Sequence, residues 1–128
     1  MNKNRIDKFL LPAYGLLKDS GVANENNEIK KTFRGYISSF GAAVIMGSLK
    51  SAIAFFSAQG SADEPREKLM RIICALVEEK KYDETEKNSL MEYVNGFKTE
   101  REVRENIYNA AVAVKLAMNM YTLTRENK

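Results

Sequence analysis

Apolar residues recur every three or four positions along almost the whole of this 128-residue chain. That spacing places side chains on one face of an α-helix, whereas a half-buried strand would show a sustained alternation of apolar and polar residues. No segment shows such an alternation. The pattern predicts an all-α fold, a compact bundle of about six helices forming a single domain over residues 1–128.

Two long helices are predicted before the middle of the chain. The first follows Ile6 to Leu17, although Pro12 and Gly15 favour a kink or a later start. Its inward face comprises Ile6, Phe9, Leu10, Ala13, Leu16 and Leu17. The second runs from about Glu28 to Met46, after an asparagine-rich loop. Its apolar stripe comprises Ile29, Phe33, Ile37, Phe40 and Val44.

Gly47 predicts the end of the second helix, and two further helices are expected beyond it. The third is short and ends near Gly60. It buries Leu49, Ile53 and Phe56. The fourth would be capped by Ser61 or Asp63, with Pro65 in its first turn, where the missing N–H costs little. Its buried face comprises Leu69, Ile72, Ile73, Leu76 and Val77.

Capping signals place the last two helices. Thr85 is predicted to cap the fifth, and the pair Asn95-Gly96, which tolerates the left-handed conformation, to end it. Its inward residues are Leu90, Val94 and Phe97. Thr99 and Glu102 match the capping-box spacing, so a long sixth helix is predicted to start there. Its stripe comprises Val103, Ile107, Ala110, Val114, Met118 and Tyr121, and its alanines permit close approach of another helix.

Composition disfavours catalysis and metal binding. The chain lacks histidine and has one cysteine, Cys74, so the usual ligands of a metal site and a Cys–His nucleophile are missing. Cys74 is predicted to be a buried thiol. The densest carboxylates, the pairs Glu78/Glu79 and Glu84/Glu86, flank a predicted turn beside lysines, so we expect solvated surface rather than acid/base or metal groups. We therefore predict a protein that is not an enzyme and uses no cofactor or metal.

Charge and hydropathy bear on location and partners. Lys50 interrupts the most hydrophobic stretch, and the first eight residues are polar, so neither a membrane span nor a signal peptide is expected. A cytoplasmic location without membrane contact follows. The net charge is +3, and residues 1–62 carry 8 basic and 4 acidic groups. The N-terminal half could therefore face a phosphate backbone or an acidic protein.

Four cations in that half are the candidates for RNA contact: Lys30, Lys31, Arg34 and Lys50. Lys30 and Arg34 lie one helical turn apart and could follow successive phosphates, and Tyr36 could stack a base or flank the core. The alternative is an ordinary solvated helix face. In the last predicted helix, glutamates are expected to pair in water with the nearby cations Arg101, Arg104 and Lys115.

Residues 36–56 carry the clearest resemblance to a known protein family. They read Tyr-Ile-Ser-Ser-Phe-Gly-Ala-Ala-Val-Ile-Met-Gly-Ser-Leu-Lys-Ser-Ala-Ile-Ala-Phe-Phe. This run resembles the core signature of the small subunit of the type III-B CRISPR effector, the Cmr complex. In that family an aromatic residue opens an apolar helix, which runs into a glycine followed closely by leucine. A second helix then carries alanine and phenylalanine. Chain length and helix order agree as well.

The resemblance implies a non-catalytic all-α subunit, packed along the backbone filament of a ribonucleoprotein whose other subunits cleave target RNA. Its implied partners are the other Cmr subunits, together with target and guide RNA held by their backbones without sequence reading. Weak self-association is also expected. The residues that fit the family's basic RNA channel are Lys30, Lys31, Arg34 and Lys50. The alternative is a protein–protein adaptor unrelated to CRISPR, which would dock through Phe55, Met118 and Met120.

Overall fold

Six helices and two short strands make up the part of the chain that this computed structural model describes, residues 2–60, 64–96 and 99–125. In chain order they are α1 (Lys3–Asp19), β1 (Glu28–Lys30), α2 (Lys31–Met46), α3 (Leu49–Ser57), α4 (Glu67–Glu78), α5 (Ser89–Asn95), α6 (Glu100–Met118) and β2 (Thr122–Thr124). The helices share one core cluster of buried side chains. The predicted all-α class is confirmed.

Helix α1 runs continuously through Pro12. Asn2 caps it, because its side-chain oxygen accepts the N–H of Arg5 at 3.1 Å. The N–H of Asn2 in turn donates to Oδ1 of the buried Asn109 in α6, at 3.0 Å. A proline inside a helix costs about 3 kcal/mol, so the cap and the burial of Leu16 and Leu17 against the core must offset that loss.

The predicted start of the second helix is wrong by three residues. Glu28–Lys30 form strand β1, which pairs in parallel with β2, Ile29 opposite Leu123. Oδ1 of Asn24 accepts the N–H groups of residues 26 and 28, both at 2.9 Å, so the loop delivers the chain in extended form. A strand of three residues is too short to alternate visibly. Ile29 is fully buried, which is compatible both with the predicted helix and with the observed strand.

The turn between α2 and α3 is as expected. Gly47 ends α2, and its N–H donates to the carbonyl of Ala43 at 2.9 Å. Ser48 then caps α3, since its Oγ accepts the N–H of Ser51 at 3.2 Å. The predicted core stripes of both helices are buried: Ile29, Phe33, Ile37, Phe40, Val44, Leu49, Ile53 and Phe56.

Helix α4 begins later than predicted. Its first residue is Glu67, so Pro65 precedes the helix rather than occupying its first turn, and its carbonyl accepts the N–H of Lys68 at 3.0 Å. The proposed caps Ser61 and Asp63 lie outside the described residues. Of the predicted inward face, only Val77 is partly exposed.

Two predicted caps do not form. Thr85 bonds Asp83 in a local turn, with Thr85 N and Oγ1 at 2.9 and 2.6 Å from Oδ1, and α5 starts only at Ser89. Thr99 does begin α6, but its side chain makes no capping bond. Helix α5 ends at Gly96 as expected, although with a right-handed φ of −83°. Phe97 lies outside the described residues.

Helix α6 packs antiparallel to α2. Arg34 near the start of α2 bonds Asn119 at the end of α6, while Arg104 near the start of α6 reaches the carbonyls that end α2. The predicted stripe of α6 from Val103 to Tyr121 is buried, and so are its alanines. The two long helices thereby present their remaining faces side by side to solvent.

Candidate functional site

The first turn of α2 gathers three of the four predicted cations. Lys30 is the last residue of β1, Lys31 is the first of α2, and Arg34 lies one turn further along the same helix. Lys31 is exposed, whereas Lys30 and Arg34 are half-buried. Lys31 has no ion-pair partner within the described residues.

Arg34 is partly committed to the fold. Its Nη2 donates to Oδ1 of Asn119, the C-cap of α6, at 3.1 Å. The C-terminal end of a helix carries partial negative charge, so a guanidinium there stabilises α6. The Nε of Arg34 is buried without a partner in the described part of the chain. Only part of this guanidinium is therefore available to a ligand.

Lys50 stands apart from the other three. It lies exposed in the first turn of α3, just beyond the Gly47 turn. Helix α2 has 16 residues, so its two ends are separated by about 22 Å at the helical rise of about 1.5 Å per residue. The structure brings Lys30, Lys31 and Arg34 together and leaves Lys50 at the opposite end of α2.

Arg104 holds the turn next to Lys50. As the sequence predicted, it pairs with a glutamate one turn away, Nη2 to Glu100 Oε2 at 2.6 Å. Its Nη1 also donates to the carbonyl of Val44 and, at 3.1 Å, to that of Gly47. The contact between Arg104 and Val44 joins residues 60 positions apart, so no local sequence pattern predicts it.

Acidic residues are missing from α2 and α3. The sequence contains none between Glu28 and Asp63, a signal that the sequence-based reasoning did not use. One carboxylate reaches this surface from outside, since Glu64 Oε2 accepts the hydroxyl of Thr32 at 3.1 Å. Lys50, like Lys31, has no ion-pair partner in the described chain. Both ends of α2 therefore carry exposed lysine charge on helices without acids.

Arg125 is a cation that the sequence-based reasoning missed. It follows β2 directly and is exposed. The preceding residue, Thr124, pairs with Lys30 in the sheet, and paired strands lie about 4.8 Å apart. The sheet thus delivers a further positive charge to the same end of α2.

Tyr36 belongs to the core margin. It is half-buried against the core cluster, and its ring meets that of Phe33 edge-on at 6.2 Å between centroids. Of its two predicted roles, the structure supports flanking the core.

Cys74 lies in α4, one helical turn before Glu78 and the glutamate-rich segment that follows. Cys74 is buried, which raises the pKa of its thiol to about 11. The Nζ of Lys80 bonds the carboxylate of Glu86, and this bond raises the pKa of the lysine. Glu86 is half-buried and forms an ion pair with Lys80, so the expectation that water solvates it is wrong. Glu79 and Glu84 are exposed, as predicted. Within the described ranges, no group of three or more acidic or cysteine side chains could hold a metal ion.

Exposed large apolar side chains occur on four of the described helices. They are Leu11 in α1, Ile45 and Met46 in α2, Phe55 in α3, and Leu116 in α6, with Met120 just after α6. Met118 is fully buried, so its predicted place on a docking surface beside Phe55 and Met120 is wrong. A helix turns by about 100° per residue, which directs residues 118 and 120 to different sides. No described helix has the length and apolarity needed to cross a membrane.

These features define a class: a small helical protein with exposed lysines on two helices that contain no acidic residues, and with exposed apolar side chains of the kind that suit assembly with partners. Comparison with known families matches residues 16–110 to the family described as CRISPR-associated protein (Cas_Cmr5). Because the match covers most of the chain, the chain belongs to this family, the small subunits of the type III-B CRISPR effector, the Cmr complex. Association with other Cmr subunits follows from that membership. No curated protein and no solved structure matches the chain.

Proposed function

We propose that this chain is a non-catalytic subunit that packs along the Cmr backbone filament and contacts the backbone of target RNA. The contacting residues are Lys30, Lys31, Arg34 and Lys50. One observation supports this most: Lys31 and Lys50 are exposed, make no ion pair within the described chain and lie at opposite ends of α2. Helices α2 and α3, which carry them, contain no acidic residues. Lysine ammonium groups attract phosphates without distinguishing bases, so the contact would hold RNA without reading its sequence.

The geometry of α2 suits an extended RNA strand. No side chain caps its first turn, and the positive end of the helix dipole adds to the charge of Lys31. The span of about 22 Å to the Lys50 end corresponds to about six nucleotides at about 3.4 Å each in a stacked strand. One strand lying along α2 would therefore meet cations at two separated points.

The exposed apolar side chains supply the packing part of the role. Met46 is 84% exposed, and Leu11 on α1 is 74% exposed. Large apolar residues left in water are typical of surfaces that another subunit covers. RNA cleavage would then belong to other subunits, and the guided complex would meet transcripts in the cytoplasm.

Salt-dependent RNA binding tests the electrostatic claim. We would titrate single-stranded RNA with the wild-type chain and with the double variant Lys31→Glu/Lys50→Glu between 50 and 200 mM salt, as the chain alone and in the assembled complex. Each phosphate contact on a single strand contributes about 0.7 to the slope of log affinity against log salt. Loss of two contacts should lower that slope by about 1.4 and weaken binding.

The matched control is Lys3→Glu/Lys81→Glu. It makes the same change in net charge at two exposed lysines away from α2 and α3, one of them also in the first turn of a helix. Its slope should remain that of the wild type. Equal losses in both double variants, or binding indifferent to salt, would contradict the proposal.

Two further measurements test the remaining parts. Purification of the complex from its native source should recover this chain together with Cmr proteins and guide RNA, and its recovery without any guide RNA would contradict the assembly role. The purified chain should leave labelled RNA intact with and without divalent metal. Cleavage that survives further purification would show that the chain is an enzyme.

A further inference from the structure

Phe55 is an exposed aromatic ring with a guanidinium stacked on it. The ring is 60% exposed, and Cζ of Arg66 lies 4.6 Å from its centroid. A cation over a ring face at this distance is a favourable cation–π contact. The pair is formed across the link between α3 and α4, since Phe55 is in the last turn of α3 and Arg66 directly precedes α4.

The core fixes the position of this ring. Phe56 meets Phe55 edge-on, with centroids 5.0 Å apart and planes at 81°. Phe56 in turn meets the fully buried Phe40 edge-on, with centroids 5.6 Å apart. Phe55 thus packs on the core through Phe56, which restricts its side chain and lowers the conformational entropy that is lost when a ligand covers the ring.

The pair lies between the two cationic ends of α2. The contact of Phe56 with Phe40 sets the last turn of α3 beside the middle of α2, and the bond of Glu64 to Thr32 carries the following segment to the start of α2. Lys50 lies five residues before Phe55, about 7.5 Å along the helix axis. Phe55 and Arg66 therefore lie in the gap between Lys50 and Lys31.

Among the described residues, the two acids that flank Arg66 in sequence, Glu64 and Glu67, already accept hydrogen bonds. Glu67 Oε1 accepts the N–H of Gly60 at 2.8 Å, and Glu64 accepts the hydroxyl of Thr32. Arg66 makes no ion pair within the described residues, and its Nε is buried there without a hydrogen-bond partner. The guanidinium therefore keeps its charge and its two Nη groups for a phosphate, whereas the buried Nε is not available.

We propose that Phe55, with Arg66 stacked against it between the cations at the two ends of α2, is a stacking site for an unpaired RNA base. Stacking on an aromatic ring tolerates every base, because each base has a π-face. Arg66 would contact a phosphate of the same strand. This inference rests on the proposed function, since it requires RNA to run along α2, and it adds that at least one nucleotide there is single-stranded.

The test uses single-stranded RNA that carries the fluorescent base 2-aminopurine, whose emission falls when it stacks. The variants are Phe55→Leu, which keeps an apolar side chain, and Phe55→Tyr, which keeps a ring. Phe55→Leu should bind about five- to 150-fold more weakly and lose the quenching, the range measured for one stacked base. Phe55→Tyr should bind like the wild type. Leu11→Ala, at an exposed apolar residue of α1, is the control and should change neither.

Salt slope separates this inference from the electrostatic proposal. Phe55→Leu removes no charge, so its slope should equal that of the wild type, whereas Lys31→Glu/Lys50→Glu should lower the slope. RNA lacking bases should bind wild type and Phe55→Leu equally. Unchanged binding by Phe55→Leu, with the lysine effect intact, would overturn base stacking alone.

A protein partner on Phe55 would give a different result. In that case Phe55→Leu would retain RNA affinity and quenching but would be recovered in lower amount with the purified complex, and the stacking site would be refuted. Absence of RNA binding by the wild-type chain, both alone and in the complex, would overturn both proposals. Circular dichroism melting of each variant checks that the fold is retained.

Discussion

Replacement of Arg104 by methionine should unfold the protein at a measurably lower temperature. The carbonyl of Val44 lies in the last turn of α2, where no helical N–H follows to bond it, and Arg104 supplies the donor. Hydrogen bonds from a charged group contribute about 1.5–3 kcal/mol. The second acceptor, Gly47, is exposed and can bond water instead. We therefore expect a loss of about 2 kcal/mol, mainly from the carbonyl of Val44.

That loss corresponds to a fall in Tm of about 7 °C for a chain of this length, because the entropy of unfolding is about 2.1 cal/mol/K per residue. Thermal melting followed by far-UV circular dichroism measures it. Arg101→Met is the matched control, because Arg101 is exposed on the same helix and its side chain makes no hydrogen bond or ion pair within the described chain. Glu100→Gln removes only the exposed ion pair to Arg104 and should cost a few tenths of a kcal/mol. If Arg104→Met melts like Arg101→Met, the cap across helices is not a source of stability.

Further outcomes are expected at Cys74, at two glycines and at Tyr121. With the pKa of Cys74 raised to about 11 from 9.0, its thiolate population at pH 8 should be about a hundredfold lower, so iodoacetamide should label it only on unfolding. Because the thiol pKa is higher in the folded state, Cys74 stabilises the folded state below pH 9.0, and this stabilisation is lost as the pH rises towards 11. The free energy of unfolding of Cys74→Ala should therefore fall less than that of the wild type between pH 9 and pH 11. Gly35→Ala, where a Cβ meets nothing within 4 Å, should raise stability by about 1 kcal/mol, whereas Gly60→Ala would set a Cβ 2.8 Å from a backbone carbonyl and should lower Tm. Tyr121→Phe removes a 2.6 Å bond to the carbonyl of Tyr14 and should cost about 1 kcal/mol in urea unfolding.

The errors in the predicted fold concern helix ends and strands. Thr85 is a good capping residue by type, yet Asp83 two positions earlier bonds both its N–H and its hydroxyl. Glu28–Lys30 continue the helical spacing of α2 and still form a strand, because β2 at the far end of the chain pairs with them. In both cases the residue types allow two local structures, and a bond to another residue decides between them.

For the candidate site as well, the sequence predicts the residue types, whereas tertiary contacts decide their surroundings. Sequence alone selects the cations and places Lys30 and Arg34 one turn apart on a helix, whereas in the structure Lys30 ends β1 and α2 begins at Lys31. The sequence does not show that Arg34 is tied to Asn119, that Arg104 holds the turn before Lys50, or that Arg66 covers Phe55. These contacts join helices that are distant in the chain, so they have no fixed spacing that a pattern could detect.

The three- and four-residue spacing determined, without any structure, that this chain is helical and which residues form its core, since that spacing follows from the helix geometry that every such segment shares. The run from Tyr36 to Phe56 added the family. Only the tertiary structure decided that α2 and α6 are antiparallel, that a small parallel sheet joins the two halves of the chain, and that Lys50 lies at the opposite end of α2 from Lys31. The reason is physical: burial depends on local periodicity, whereas the neighbours of a surface charge depend on how whole helices pack.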